Sequence, residues 1–135
     1  MNEDRNIQTV RRFTRTFKNQ HDVDGAKHLF HPKFQHHFKG PLPPGWEGLA
    51  IVGRMMNGAF PDVVVTEEDI IATGDKVVER GSCVATHRGE FQGIKPTNRQ
   101  VRWTEIHIYR LEDAKIVEHW AEFSQYELVQ QMGAK

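Results

Sequence analysis

The chain lacks the features that define several broad protein classes. Its 135 residues include one cysteine, Cys83, so no internal disulfide can form, and its strand-like surroundings are typical of a small buried residue. Lys plus Arg and Asp plus Glu both number 18, which leaves no excess positive charge for a nucleic acid backbone. No stretch is apolar enough to cross a bilayer, and the first ten residues are too polar for a secretory signal. We therefore expect a cytoplasmic protein that binds neither nucleic acid nor membrane.

The first sixty residues have the spacing of helices. Apolar side chains recur every three or four positions in the first of them: Ile7, Val10, Phe13 and Phe17. A second, short helix is predicted over residues 26–30, ended by Pro32, and a third runs from near Glu47 to Pro61. Between the last two, a short strand is predicted from Gln35 to Phe38.

From residue 62 onward the pattern is that of strands. Residues 63–71 and 76–87 form one predicted hairpin, residues 101–111 and 115–123 form a second, and residues 126–132 form a short closing helix. A group of helices followed by an antiparallel meander of strands is typical of the α+β class. We therefore predict a curved antiparallel sheet with about three helices over its concave face. There is no repeat and no linker, so residues 1–135 are predicted to form one domain.

The second half of the chain contains motifs that resemble a known family. The loop Thr86-His87-Arg88-Gly89-Glu90-Phe91-Gln92-Gly93-Ile94-Lys95-Pro96-Thr97-Asn98-Arg99 is similar to a loop of the SnoaL-like polyketide cyclases. The closing segments Tyr109-Arg110-Leu111, Lys115-Ile116-Val117-Glu118-His119-Trp120 and Gln130-Gln131-Met132-Gly133 resemble the end of the same family. The order of elements agrees over the whole chain, while the motifs are confined to residues 86–133.

This resemblance implies a cone-shaped α+β barrel of the nuclear-transport-factor-like type that forms a homodimer and uses neither a metal nor an organic cofactor. Named members close a ring of an aromatic polyketide by intramolecular aldol condensation. In them a pocket aspartate acts as acid and base, assisted by a histidine. The resemblance thus implies a pocket for a small, largely apolar organic molecule that carries a carbonyl group.

The chain departs from the family pattern at three positions. Ala121 stands where the cyclases place the catalytic aspartate, and an alanine cannot move a proton. The usual Asp-Gly turn is Asp113-Ala114, which puts a residue with a Cβ where a left-handed backbone is expected, at a cost of roughly 1 kcal/mol. Asn98 replaces a loop glycine, a milder change because asparagine tolerates that conformation.

Strand alternation predicts the catalytic group. Glu105 and His107 share one face of residues 101–109 with Trp103. A three-residue turn, favoured by the family pattern, places His107 opposite His119 and Ala121 opposite Glu105. A two-residue turn instead places His107 opposite Trp120, and a slip by one brings Glu122 to the pocket in place of Ala121.

Glu105, His107 and His119 are therefore the predicted catalytic residues. A carboxyl and an imidazole two positions apart on a strand can share a proton, and an apolar cavity raises the pKa of the carboxyl, which suits general acid and base catalysis near neutral pH. The competing interpretation is that Glu105 and His107 are a hydrogen-bonded pair in a core without water and have no catalytic role.

Five further residues are predicted to contact the substrate: His36, Trp103, Ala121, Phe34 and Met56. The aromatic members of this set also fit an ordinary core. His36, His107 and His119 can converge, but the chain has neither an His-x-x-x-His helix face nor paired cysteines, so no metal site is predicted.

Two functions remain open from the sequence. One is a cofactor-free enzyme in which Glu105 and His107 replace the missing aspartate. The other is a ligand-binding module that keeps the pocket without the chemistry, which Ala121 favours. Steroid-isomerase-like and epoxide-hydrolase-like sites rank lower, because both tyrosines come late in the chain and the aspartates fall in turns.

Overall fold

The computed structural model describes residues 2–37 and 40–133. It contains three α-helices and five strands, connected in part by a π-helical segment and a 3-10 helix. In chain order these are α1 (Asn2–Phe13), the π segment (Thr14–Asn19), the 3-10 helix (Asp24–Leu29), β1 (Phe30–His36), α2 (Trp46–Ala59), β2 (Val64–Thr73), β3 (Lys76–Thr86), β4 (Gln100–Glu112), β5 (Lys115–Phe123) and α3 (Gln125–Gln131).

The strands form one sheet in the order β1-β5-β4-β3-β2. The pairs β2–β3, β3–β4 and β4–β5 are antiparallel, as predicted, whereas β1 runs parallel to β5. The predicted fold class, an α+β cone with helices against a curved sheet, is confirmed. No helix among the described residues is long and apolar enough to span a membrane.

Two predicted element boundaries near residue 30 need correction. The second helix ends at Leu29 and not at Pro32, because Phe30 already has an extended backbone and begins β1. Pro32 lies within β1, where the pairing with β5 is interrupted between Phe30 and Gln35, so its missing N–H costs no ladder hydrogen bond there. Phe38, predicted to be in this strand, lies outside the described residues.

The core lies between the helices and one face of the sheet. Phe13 and Phe17 from the N-terminal helical region pack with Tyr109 from β4 and Leu49 from α2 in one buried cluster. The alternation predicted for β4 is confirmed by burial, since Trp103 and His107 face inward while Ile106 and Ile108 face outward. The inward face of β4 therefore carries both core residues and polar groups.

The π segment turns the chain toward the sheet. Its i→i−5 bonding is visible where the Gln20 N–H donates to the Arg15 carbonyl at 2.8 Å. The Asn19 side chain then pairs with both backbone polar groups of Val65 on β2, at 2.7 and 3.1 Å. These bonds fix the end of the π segment against an edge strand.

Candidate active site

A cavity of about 700 Å³ lies between the π segment, α2 and the inward face of β4 and β5. Its wall includes seven of the eight predicted site residues: Glu105, His107, His119, His36, Trp103, Ala121 and Met56. A second depression, of about 490 Å³, lies near Asn6 and Leu111 and contains none of them. The larger cavity is therefore the candidate active site.

Phe34 is the predicted residue that the cavity wall does not include. Its ring is buried in the core, 4.7 Å from the ring of Phe30 and stacked 6.4 Å from His36. It supports His36 from the protein side, because β1 directs it into the core cluster and away from the cavity. The structure therefore does not place Phe34, a predicted substrate contact, in the wall of the cavity.

Glu105, His107 and Lys18 meet at one point of the wall. The Nε2 atom of His107 lies 2.7 Å from Glu105 Oε1, and the Nζ atom of Lys18 lies 3.3 Å from the same oxygen and 2.9 Å from His107 Nε2. The second carboxylate oxygen accepts a hydrogen bond of 2.9 Å from the indole N–H of Trp103. Only 13% of the side-chain surface of Lys18 and of Glu105 is accessible.

Three imidazoles continue from this point into the protein. His107 Nδ1 lies 2.8 Å from His119 Nε2, and His119 Nδ1 lies 3.1 Å from His36 Nδ1. The three rings are nearly parallel, with interplanar angles of 10° and 17° between neighbours, and Tyr109 stacks against His119 at 4.7 Å. The result is a continuous chain from Glu105 through His107 and His119 to His36.

The pKa of Glu105 is shifted in the direction opposite to the one predicted. Burial does raise the pKa of its carboxyl, as expected, but the Lys18 ammonium and the hydrogen bonds from His107 and Trp103 outweigh burial and hold the pKa well below its usual range. Glu105 is therefore a carboxylate at neutral pH. Lys18 is not among the predicted site residues, and its charge is the largest cause of the lowered pKa.

The three histidines are held neutral at the same pH. Burial lowers the pKa of His107, His119 and His36, in the last case to about 4. The Lys18 charge also opposes protonation of His107 and His119, while Glu105 favours it for both without reversing the direction. Neighbouring imidazoles add to the effect, because a charge on one disfavours a charge on the next.

Neutral imidazoles beside a carboxylate permit one pattern of donors. Each ring has one N–H and one lone pair. Since the Glu105 carboxylate accepts only, His107 must donate from Nε2, which leaves its Nδ1 to accept from His119 Nε2–H. His119 Nδ1 then accepts from His36 Nδ1–H, which also lies 3.3 Å from the backbone carbonyl oxygen of His119. All three N–H groups therefore point along the chain toward Glu105.

The pairing of β4 with β5 differs from both registers considered for the sequence. The turn holds two residues, Asp113 and Ala114, but an extra residue in β5 follows, so that Arg110 pairs with Glu118 while Leu111 pairs with Ile116. This bulge places His107 opposite Ala121, not opposite His119 or Trp120.

Relative to the register favoured from the sequence, the bulge shifts the pairing of β5 against β4 by two residues. Because side chains alternate with a period of two, the same side chains of both strands still face inward. His119 pairs with Tyr109 and reaches His107 diagonally. Ala121 still faces the cavity, while Glu105 lies opposite Phe123. Asp113 and Ala114 both have positive φ, 52° and 58°, which confirms the left-handed backbone predicted for the turn.

Lys18 is the functional residue that sequence reasoning missed. With α-helical spacing it falls at the edge of the buried stripe, among exposed cations such as Arg11 and Arg15. Because the π segment has more residues per turn, each residue rotates less around the axis, and Lys18 turns from that edge toward the cavity. No signal in the sequence separates a π segment from a continued α-helix here.

No group of three or more His, Cys, Asp or Glu side chains within residues 2–37 and 40–133 is arranged to hold a metal ion. The reason lies in the histidine chain. The nitrogens of His107, His119 and His36 face one another in pairs and do not converge on a common point.

The sequence matches the model of the family described as SnoaL-like polyketide cyclase over residues 8–132. The chain belongs to the SnoaL-like polyketide cyclase family. This membership covers nearly all of the domain, including the π segment and the five strands. No curated protein matches the chain.

Solved structures of similar proteins agree with this assignment to the SnoaL-like family. IdmH from Streptomyces antibioticus, a candidate polyketide cyclase, is 30% identical with a TM-score of 0.82, over 96% of this chain and 99% of IdmH. AclR from Streptomyces galilaeus, a candidate hydroxylase, is 26% identical with a TM-score of 0.88, over 97% of this chain and 86% of AclR. TsrD from Streptomyces laurentii is 26% identical with a TM-score of 0.89, over 100% of this chain and 99% of TsrD.

Proposed function

We propose that this SnoaL-like protein is a cofactor-free enzyme that removes a proton next to the carbonyl group of a small, largely apolar molecule, as in an aldol-type cyclisation. Glu105 is the base, and His107 is its hydrogen-bonded partner. The observation that carries the proposal is the 2.7 Å contact between Glu105 and His107 in the wall of a 700 Å³ cavity. IdmH, the candidate cyclase, supports the reaction class by similarity.

The charge state of Glu105 suits a general base. Its carboxylate is ionised at neutral pH and so is ready to accept a proton. A base is most efficient when its pKa lies near the working pH, and the resting pKa of Glu105 lies below that. A substrate oxygen that draws the Lys18 ammonium away from Glu105 removes the main charge that lowers this pKa, so basicity increases when the substrate binds.

The rest of the wall suits an apolar ligand. Most of the other lining side chains are aliphatic or aromatic, among them Phe13, Phe17, Leu49, Val52, Met56, Val63, Val65 and Trp103. A pocket with many apolar walls and a few polar groups at one point is typical of small-molecule sites, where the polar groups fix orientation. Trp103 has both roles, since its ring lines the cavity while its N–H holds Glu105.

The test is exchange of hydrogen for deuterium next to a carbonyl. A thermal-shift screen of polycyclic ketones and β-keto esters first selects a ligand, since binding raises apparent stability. NMR then follows incorporation of deuterium from D₂O into that ligand. Glu105→Gln should reduce the exchange rate about 100-fold or more, the usual scale of a lost general base. Glu68→Gln, an exposed carboxylate on β2, is the matched control and should exchange at the wild-type rate.

Equal exchange rates in wild type and Glu105→Gln would contradict the proposal, provided that both bind the ligand. His107→Ala should also slow exchange, because it removes the group that orients the carboxylate. The circular dichroism spectrum and the ligand-induced thermal shift of each variant serve to separate lost chemistry from lost folding.

A non-catalytic binding module is the second candidate, and Ala121 is the observation that favours it. Ala121 lines the cavity directly opposite His107, at the position where the family pattern has an acid. A protein that binds ketones but exchanges no deuterium would support this alternative. Gain of ring-closing activity in Ala121→Asp would then identify a cyclase that has lost its acid.

Assembly and location remain predictions that follow from the family resemblance and the composition. We infer a homodimer from the resemblance and a cytoplasmic location from the sequence features above.

A further inference from the structure

Lys18 is the one lysine or arginine among the described residues that line the cavity. Its Nζ atom lies 2.9 Å from His107 Nε2 and 3.3 Å from Glu105 Oε1, and 5.7 Å from the centre of the Phe13 ring. Its side chain is 13% accessible, and the residues around it place that surface on the cavity. A cation is thus held beside the proposed base, within reach of a bound molecule.

The donors of Lys18 exceed the acceptors that this corner supplies. An ammonium group has three N–H donors. Glu105 Oε1 accepts one of them. His107 Nε2 cannot accept another, because the same nitrogen donates its own hydrogen to Glu105, so the 2.9 Å contact brings two donors together. A molecule that offers an oxygen from the cavity side would relieve this mismatch.

The geometry points to Lys18 as the catalytic residue that holds the carbonyl oxygen of the substrate while this oxygen becomes an enolate, since the ammonium lies in the cavity wall within 3.3 Å of the base. The inference rests on the proton abstraction proposed above. It narrows the substrate class to ketones or esters with an acidic C–H next to the carbonyl. A neutral apolar molecule without such an oxygen would leave Lys18 without a role.

The step balances in atoms and in charge. The C–H bond of the substrate breaks and an O–H bond forms on Glu105. The electron pair of the C–H bond becomes the C=C bond of the enolate, and the carbonyl π pair moves onto oxygen. The negative charge thereby passes from Glu105 to the substrate oxygen, and Lys18 is adjacent to both. In a site of low polarity, an existing cation near the developing charge stabilises it without reorganisation of water.

The test uses 2-naphthol, whose ionised oxygen mimics an enolate, and the Glu105→Gln variant, whose neutral amide mimics the protonated acid. At neutral pH free 2-naphthol is un-ionised. We expect it to bind to Glu105→Gln as the naphtholate, which its absorption and fluorescence spectra reveal. The double variant Glu105→Gln/Lys18→Met should bind the naphtholate about tenfold more weakly or worse, the scale of a lost hydrogen bond to a charged group. The double variant removes both charges together, so it leaves no unpaired buried ion.

Three controls make the outcome specific. Arg15→Met, an exposed cation of the same π segment, should leave naphtholate binding to Glu105→Gln unchanged. Naphthalene, which has no oxygen, should bind equally to Glu105→Gln and to the double variant. If the double variant fails to bind naphthalene, Glu105→Gln/Lys18→Gln takes its place, because glutamine removes the charge and keeps a polar side chain. An ionised spectrum that persists in this variant would overturn the inference.

Other outcomes separate this inference from the proposed function. Naphtholate binding that does not depend on Lys18 would overturn the role of Lys18 even if deuterium exchange depends on Glu105. Absence of exchange together with Lys18-dependent naphtholate binding would overturn the proposed base and leave Lys18 as an anion-binding group. Strong binding of 2-naphthoate without ionisation of 2-naphthol would also overturn it, because the site would then accept a carboxylate and not an enolate.

Discussion

His107 occupies a position where each of its nitrogens has a different neighbour. Nε2 faces Glu105 at 2.7 Å and Nδ1 faces His119 at 2.8 Å. His119 in turn is backed by His36 at 3.1 Å and by the stacked ring of Tyr109. We propose that His119 and His36 act as positioning residues, since they continue the hydrogen-bonded chain behind His107 and do not contact Glu105.

The lowered histidine pKa values predict a stability that falls with acid. A histidine whose pKa is lowered by folding binds its proton more weakly in the folded chain, so acid stabilises the unfolded chain below about pH 6.5. For His36, with a pKa of about 4, this amounts to about 2 kcal/mol between pH 7 and pH 5. His107 and His119 act in the same direction. The folded chain also loses the stability that the Glu105 carboxylate contributes as the pH falls below the ordinary pKa of glutamate toward the lowered pKa of Glu105.

Urea unfolding at pH 7 and pH 5 measures this effect. Over this interval His36→Gln should lose about 2 kcal/mol less unfolding free energy than the wild type, because it lacks the imidazole that burial holds neutral. His28→Gln, which removes an exposed histidine, should show the wild-type difference. The comparison with the wild type matters because burial raises the pKa of Glu79, whose protonation stabilises the folded chain as the pH falls. The same pH dependence in His36→Gln and in the wild type would mean that His36 is not held neutral in the folded protein.

At the scale of elements, the packing of α2 on the π segment determines where Lys18 lies. Gly53 in α2 faces Phe17, the residue before Lys18, and a Cβ at position 53 would lie 2.3 Å from the end of the Phe17 ring. That ring is buried against Phe13 at 4.7 Å and Trp46 at 6.1 Å, so it has little room to move. The close approach of the two elements therefore depends on the missing side chain at Gly53.

Gly53→Ala should destabilise the fold by about 1–3 kcal/mol, the usual cost of overpacking. It should also slow deuterium exchange, because a displaced Phe17 shifts Lys18. Gly58→Ala is a matched control in the same helix, with open space around the added methyl group, and should stabilise the protein by about 0.5–1 kcal/mol. Urea unfolding of both variants gives the comparison. A Gly53→Ala variant as stable as wild type would refute the tight contact.

Elements with strong periodicity could be predicted from the sequence, and local departures from periodicity could not. The two hairpins and the inward face of β4, with Trp103, Glu105 and His107, follow from alternation alone. The bulge in β5 and the π segment leave no mark in the pattern of apolar residues, although each changes which side chains meet. The parallel pairing of β1 with β5 is also a tertiary choice, because these strands are far apart in the chain.

At the scale of the whole molecule, the cavity depends on a division of the interior into two buried clusters. One contains Phe13, Phe17 and Tyr109, and the other contains Phe60, Trp103 and Leu128. The cavity and its polar corner lie between residues of both clusters, since Phe17 and Trp103 each contribute to the wall. The family resemblance predicted such a hollow, but the arrangement of its polar groups required coordinates, because Lys18 reverses the direction of the pKa shift predicted for Glu105.

The most direct measurement of the central claim is a crystal structure of the protein with a ketone selected by the thermal-shift screen. In this complex the cavity should present Glu105 to the carbon next to the carbonyl and Lys18 to the carbonyl oxygen. We expect density in the larger cavity, with the oxygen within hydrogen-bonding distance of Lys18 Nζ and the neighbouring carbon in contact with Glu105 Oε1. A ketone bound outside this cavity, or bound inside it with its carbonyl directed away from both residues, would contradict the roles proposed for Glu105 and Lys18.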